Sequence, residues 1–180
     1  TIKKILQLQD TKKVISIGRN RERSSDAFSL GIGKGDDRYL YKQIHLTFEI
    51  DFLTDLIDDY KPDFIVNFAA LAYATSWNKS SRYYDTNITA VAKLCEHLYD
   101  KKFLKQFLQI GSSEIYGSTK EPAKENSLPN PTSPYAVSKL AADYHMLSLY
   151  SHMGFPTNII RPSNCYGSGQ YMYRVIPKAI

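Results

Sequence analysis

Short β-branched and aromatic runs alternate along this chain with stretches whose apolar residues recur every three to four positions. Val14-Ile15-Ser16-Ile17 is a β-branched run that stops at Gly18. Gln43 to Phe48 is a weaker, alternating strand pattern. Phe64-Ile65-Val66-Asn67-Phe68 follows Pro62 and has the composition of a buried strand. Phe107-Leu108-Gln109-Ile110 ends at Gly111, and Thr157-Asn158-Ile159-Ile160 ends at Arg161-Pro162. Between these runs the spacing changes from two to 3.6 residues, the period of a helix with one apolar stripe. Phe52, Leu53, Leu56, Ile57 and Tyr60 follow it, as do Ile88, Val91, Ala92, Leu94, Cys95 and Leu98. A third helix has clear start signals, with Ser133 as N-cap and Pro134 at the first helical position. Val137, Leu140, Ala141, Tyr144 and Leu147 give it an apolar stripe, and Gly154 is its expected stop. Ile2 to Leu8 has the character of a helix tail.

Strands alternating with helices predict an α/β domain with a parallel sheet covered on both faces. Ligands in such sheets bind beyond the carboxyl ends of the strands. The segments to inspect are therefore Gly18 to Arg23, Ala69 to Ser76, Gly111 to Gly117, and Arg161 to Gly167. Residues 118–131, rich in Pro, Ser, Asn and Lys, predict a surface loop. Gly31-Ile32-Gly33-Lys34-Gly35 follows no strand pattern and precedes no helix pattern, so it predicts a loop rather than a phosphate-binding turn.

The totals narrow the choice modestly. The chain has 180 residues, enough for one domain with a sizeable core. Its net charge of +5 is spread along the sequence without a basic stripe, which argues against nucleic acid as a partner. The only cysteines are Cys95 and Cys165, too few and too far apart for a zinc site or disulfide framework; a reduced, cytoplasmic setting is expected. No apolar run reaches the ~20 residues that span a bilayer, so no membrane is expected as a partner. His45, His97, His145 and His152 have no ligand spacing, and no metal is expected. Trp77 and most tyrosines are expected to serve packing. The chain opens on Thr1 and stops at Ile180 inside the apolar run Val175 to Ile180, and is expected to be part of a longer protein.

The candidate chemistry centres on Tyr135-Ala136-Val137-Ser138-Lys139. A spacing of four puts the phenol and the ammonium on one face of a helix, one turn apart. A phenol titrates near ~10, too high for a base at neutral pH; an adjacent cation favours the phenolate. Alone the pair is a weak signal, and its setting supplies the rest. Gly111-Ser112-Ser113-Glu114-Ile115-Tyr116-Gly117 follows an apolar strand and places two hydroxyls and a carboxylate at its carboxyl end.

On these residues the chain resembles the NAD-dependent epimerase/dehydratase branch of the extended short-chain dehydrogenase/reductases. Asn67-Phe68-Ala69-Ala70 is similar to the strand-four motif, whose backbone passes close to the cofactor. Ser76-Trp77 with Tyr84-Asp85-Thr86-Asn87, the Ser112 to Gly117 element, Pro134 to Lys139, and Arg161 to Gly167 are similar to the signatures that follow. Five segments thus occur in family order. The resemblance implies a Rossmann-like doubly wound sheet. It also implies that the first strand, its Gly-rich turn and a C-terminal substrate domain are absent from this chain, so that residues 1–180 form a partial NAD(P)-binding domain. Because the missing strand is normally central, its neighbours should lose pairing partners, and the chain alone should bind cofactor poorly and be of low stability.

The resemblance further implies roles. Tyr135 is the base, Lys139 holds the cofactor ribose and lowers the phenol pKa, and Ser112 hydrogen-bonds the reacting oxygen. Glu114 removes a sugar C5 proton, with Ser113 beside it. Arg19, Asn20, Ala69, Ala70, Asn87, Tyr135, Lys139 and Pro162 border the cofactor, and Ser112, Glu114 and Asn164 border the sugar. Glu114 favours a 4,6-dehydratase over a 4-epimerase, and Ser113 leans toward the GDP-mannose pattern before the dTDP-glucose one; nucleotide-sugar decarboxylases carry the same triplet. The run Gly18-Arg19-Asn20-Arg21-Glu22-Arg23 holds several guanidinium groups and no acid before Glu22, which favours NADP over NAD. A homodimer or higher oligomer is implied for the full-length protein.

Two departures border the expected site. The stretch 70–76 is shorter than the family pattern, and Ser168 stands where proline is usual. Outside the enzyme class, the alternatives are an NAD(P)-binding regulator that keeps the fold and has lost chemistry, and a structural fragment with no activity of its own. Intact Ser112, Glu114, Tyr135 and Lys139 argue against the regulator, since a sensor needs no catalytic base.

Overall fold

The computed structural model describes residues 2–22, 35–72, 77–167 and 175–179. It divides into two compact units, residues 1–45 with 164–180 and residues 46–163.

The first unit holds helix α1 (Ile2–Leu6) and strands β1 (Val14–Gly18) and β2 (Tyr39–Gln43). The strands pair in parallel from Val14 opposite Tyr39 to Gly18 opposite Gln43. The second strand was expected over Gln43 to Phe48, and this expectation is corrected. β1 ends at Gly18, and a partner entering at Tyr39 has run out of ladder by Gln43; the Ile44 N–H makes the last bond, to the Gly18 carbonyl. Arg38 fastens the unit by donating to the carbonyls of Leu6 and Thr11 while pairing with Asp36 at 2.8 Å. That guanidinium holds the Asp36 carboxyl below its usual range. Of the glycine-rich run, Gly31 to Lys34 lie outside the described residues, and Gly35 is an exposed turn residue with φ 87°.

The second unit carries β3 (Phe64–Asn67), β4 (Gln106–Ile110) and β5 (Thr157–Ile160), a parallel sheet in the order β3-β4-β5. Among the described residues β1 pairs only with β2 and β3 only with β4, so two short parallel sheets stand where one was expected.

Helix α2 (Ile50–Tyr60) buries Leu53 and Ile57 and ends at Lys61, whose φ of 45° reverses the chain ahead of Pro62. Helices α3 (Ser81–Tyr84) and α4 (Ala90–Leu98) are joined by a π-helical turn, Asp85–Thr89. α4 buries Val91, Leu94, Cys95 and Leu98, as its spacing predicts. Asp58 of α2 accepts from Lys101 at 2.9 Å and pairs with His97 at 3.1 Å, linking α2 to the end of α4.

Helix α5 (Pro134–Met153) begins and ends as predicted. The Ser133 hydroxyl accepts from the Ala136 N–H at 3.1 Å, and Gly154 adopts φ 65° at the stop. The face it buries was not predicted. Ala136, Ser138, Lys139, Ala142, Asp143 and Met146 are inside, whereas Val137, Tyr144 and Leu147 of the expected stripe are exposed. The inward positions still follow a three-to-four spacing, but small and charged residues occupy them, and binary patterning ranks such residues as surface. Phe107, Ile115, Met146 and Phe155 complete the core of this unit, with the rings of Phe107 and Phe155 5.9 Å apart. A short helix α6 (Val175–Ala179) belongs to the first unit.

Candidate active site

Apart from Asn87, each expected site residue of the second unit sits at a strand's carboxyl end or on the first turns of α5. β4 runs into Gly111, then Ser112, which caps a 3-10 turn at Ser113–Tyr116. The Ser112 hydroxyl accepts from the Glu114 N–H at 3.2 Å and is largely buried. A hydroxyl has one donor and two lone pairs. With a lone pair taken by the backbone, its O–H remains able to donate to an oxygen outside the turn. Glu114 is exposed and Ser113 half-buried. The Ser113 N–H donates to the Pro162 carbonyl at 3.1 Å, which brings the segment after β5 against the turn. Gly117 closes the turn with φ 64°, and a Cβ there would collide with the Asn130 carbonyl.

Lys139 is nearly completely buried, and its ammonium donates to the Ile110 carbonyl at 2.5 Å. This bond brings α5 to the mouth of β4, two residues before Ser112. Burial pushes the Lys139 ammonium below its usual range, and the nearby Asp143 carboxylate opposes that push. Tyr135, one turn earlier, is half-buried and meets the ring of Tyr83 edge-on, with centroids 6.3 Å apart. Its carbonyl accepts from the Ser138 hydroxyl at 2.7 Å.

Asn87 lies in the π-helical turn and is 1% exposed. Its side chain accepts from the Leu71 N–H at 2.8 Å and donates to the Leu71 carbonyl at 3.1 Å and to Ser138 Oγ at 2.9 Å. A side-chain amide thus pairs with both backbone groups of Leu71, as a strand neighbour would. It fixes the chain just past Ala69 and Ala70, which are exposed. The Ala69 N–H donates to Asn67 Oδ1 at 3.1 Å, and Asn67 Nδ2 donates to Gln109 across the ladder at 2.9 Å. π-turns concentrate at functional sites because the extra residue re-aims a side chain.

The remaining expected residues belong to the first unit. Arg19 and Asn20 are exposed just past β1, and their carbonyls accept from Gln43 and Tyr41. Glu22 accepts from the Tyr39 hydroxyl at 2.8 Å. Burial first, and this carboxylate second, push the Tyr39 phenol up to about 12. Asn164 is exposed. Ser76 and Ser168 lie outside the described residues. Trp77, expected to pack, is instead 64% exposed; it opens a 3-10 turn rather than a core helix. No group of three metal-ligating side chains occurs among the described residues, and no described helix is long and apolar enough to cross a membrane. Sequence patterning missed Ser138, Gln109 and Asp143 as buried members of this network. For Ser138 and Asp143 the available signal was their position inside or one turn beyond the Tyr135-to-Lys139 element; Gln109, an inward polar residue on β4, carried none.

The family model for the NAD dependent epimerase/dehydratase family matches residues 8–180. The chain belongs to that family. Among curated members, it is 30% identical to the dTDP-D-glucose 4,6-dehydratase of Dictyostelium discoideum over 72% of this chain and 33% of that protein. It is 33% identical to the GDP-6-deoxy-D-mannose reductase of Pseudomonas aeruginosa over 73% of this chain and 44% of that protein. The chain therefore spans less than half the length of these epimerase/dehydratase relatives. Among solved structures, a dTDP-glucose 4,6-dehydratase from Bacillus anthracis in complex with NAD has a TM-score of 0.81 at 27% identity, covering 98% of this chain and 54% of the other. A UDP-glucuronic acid 4-epimerase from Bacillus cereus, with a TM-score of 0.82 at 24% identity, shares the fold over 98% of this chain and 56% of its own. The Rossmann-like α/β class expected from the sequence is thereby established for this epimerase/dehydratase chain.

Proposed function

We propose that the full-length protein is a nucleotide-sugar 4,6-dehydratase, converting an NDP-hexose to its 4-keto-6-deoxy product, and that residues 1–180 are part of its dinucleotide-binding domain. The observation that carries this is the buried Lys139, drawn to the end of β4 beside the Ser112–Glu114 turn, with Tyr135 one turn away on the same helix. The donor set suits a nicotinamide dinucleotide. An ammonium has three donors, one of which goes to Ile110, so a ribose diol can take others. Ala69 and Ala70 are exposed and carry no bulky side chain to hold a ligand away.

When bound, the dinucleotide supplies reversible hydride acceptance. Tyr135 as phenolate takes the proton of the sugar 4-hydroxyl as C4 loses hydride, leaving a ketone. Ser112 donates to that oxygen through its O–H. Lys139 keeps a positive charge near the phenolate. The C4 ketone acidifies the C5–H, and Glu114 removes that proton. The C5–H electrons form the C5=C6 bond as hydroxide leaves C6, and a proton from Glu114, relayed through Ser113, makes it water. Solvent returns a proton to C5 as Tyr135 releases the one it took, so that one water is lost overall and the hydride removed from C4 would end at C6. Replacing Tyr135 with Phe should lower kcat by about 10²–10⁴-fold. Glu114→Gln should abolish solvent-deuterium incorporation at C5 during turnover, read by mass spectrometry of the product. Full incorporation in that variant would remove Glu114 as the base.

NADP is favoured over NAD because Arg19 and Arg21 are exposed past β1 and the carboxylate of Glu22 is engaged by Tyr39. The dissociation constants of the two dinucleotides for the full-length protein decide the point. The Dictyostelium relative is named for dTDP-glucose, whereas Ser113 fits the GDP-mannose pattern. A panel of nucleotide sugars separates these, and a pentose or an epimer as product would instead reveal a decarboxylase or 4-epimerase. A homodimer is proposed from α5, whose outer face leaves Val137, Tyr144 and Leu147 exposed.

A further inference from the structure

Asp143 is completely buried one turn beyond Lys139, and no step above uses it. Its Oδ2 accepts from Arg161 Nε at 2.7 Å, while Oδ1 is buried with no hydrogen-bond partner among the described residues. A Cβ on Gly111 would lie 2.9 Å from Oδ1 and 3.1 Å from Oδ2, so the backbone leading into Ser112 rests against the carboxylate. Arg161 also donates through Nη1 to the Tyr116 hydroxyl at 2.8 Å and the Glu125 carbonyl at 3.0 Å. One ion pair therefore joins α5, the end of β4, the Ser113–Tyr116 turn and the end of β5. These four pieces carry Tyr135 with Lys139, Ser112, Glu114 and Pro162.

We propose that Asp143 is a positioning residue for the Tyr135–Lys139 pair, its carboxylate held by Arg161 against Gly111 so that the Lys139 ammonium stays charged at the mouth of β4. Replacing buried charges with apolar groups often leaves stability unchanged or raises it, so burial of an ion pair is not by itself explained by stability. Here the second oxygen has no hydrogen-bond partner among the described residues, and Lys139 stands at the i−4 position on the same helix. Burial disfavours the charged ammonium, and the Asp143 carboxylate is the group that counters it. The other titratable groups around the pair are Tyr135 on α5, Tyr83 from α3, Tyr116 from the turn, Arg161 after β5, and Cys95 of α4, which meets Met146 further along the helix. Glu114 on the packed turn is exposed, and Asp143 is the carboxylate whose charge acts on Lys139 against burial.

The role depends on the catalytic assignment above, but its test does not need substrate. In full-length protein carrying isotope-labelled lysine side chains, the Lys139 signal is assigned by its loss in Lys139→Arg and titrated by NMR. Asp143→Asn should move the Lys139 midpoint to lower pH, and Asp143→Glu should restore it toward wild type. Because Asp143→Asn orphans Arg161, the paired variant Asp143→Asn with Arg161→Met is titrated alongside and should show the same displacement. The alkaline limb of kcat/KM, where the lysine charge is lost, should move to lower pH in parallel. A folded Asp143→Asn or paired variant with an unchanged Lys139 midpoint overturns the proposal. Loss of folding in both assigns Asp143 a purely structural role and also overturns it. A displaced midpoint in a protein that dehydrates no nucleotide sugar would count against the proposed function instead.

Discussion

Gly117 shows how one residue can control the geometry of the turn that carries Glu114. Its φ of 64° is open to glycine and strained for other residues, and a side chain there would meet the Asn130 carbonyl. Asn130 in turn donates its N–H to the Ile115 carbonyl at 2.8 Å, so the long 118–131 loop returns onto the turn that carries Glu114. Gly117→Val should destabilise the protein by about 1–3 kcal/mol, from strain at a positive φ. Chemical denaturation measures this, and an unchanged midpoint would contradict it. At this scale much was legible. Ser133, Pro134 and Gly154 announced the limits of α5 through local chemistry alone, and Tyr135 and Lys139 announced a shared face. Trp77 was not legible, because its exposure depends on what surrounds it rather than on its ring.

Among the elements, the π-helical turn between α3 and α4 contributes most to the site. Its Asn87 completes the backbone bonding of Leu71 and reaches Ser138 on α5, so a turn, a post-strand loop and the helix carrying Tyr135 and Lys139 are held by one amide. Asn87→Leu keeps the volume but leaves the Leu71 groups unsatisfied, at about 1–3 kcal/mol for each buried group. Stability should fall, and dinucleotide affinity should weaken more than nucleotide-sugar affinity, both measurable by denaturation and calorimetry. The five apolar runs became four strands where expected and one that moved. β2 moved because a strand's limits are those of its partner, and pairing is not written in either segment alone. The Asn87 motif was visible in sequence, but the π-turn that aims it was not.

For the whole molecule, the outer face of α5 is the feature that asks for a partner. Val137, Tyr144 and Leu147 lie exposed along a helix whose opposite face is already buried. In the full-length protein, Tyr144→Glu with Leu147→Glu should convert a dimer to a monomer in sedimentation while the circular dichroism spectrum is retained. A dimer that persists would move the interface elsewhere. The alternation of strand and helix, the caps of α5, and the order of the Ser112, Tyr135 and Arg161 segments were determined by sequence alone. They depend on residues near one another in the chain, and on spacings that the helix and strand periods convert into direction. Tertiary structure alone decided which face of α5 is buried, where β2 lies, that β1 and β3 belong to separate short sheets, and that Asp143 and Arg161 form a pair beside Lys139. Each of these depends on partners far away in sequence, and a carboxylate sequestered by its neighbours has the same letter as one in water.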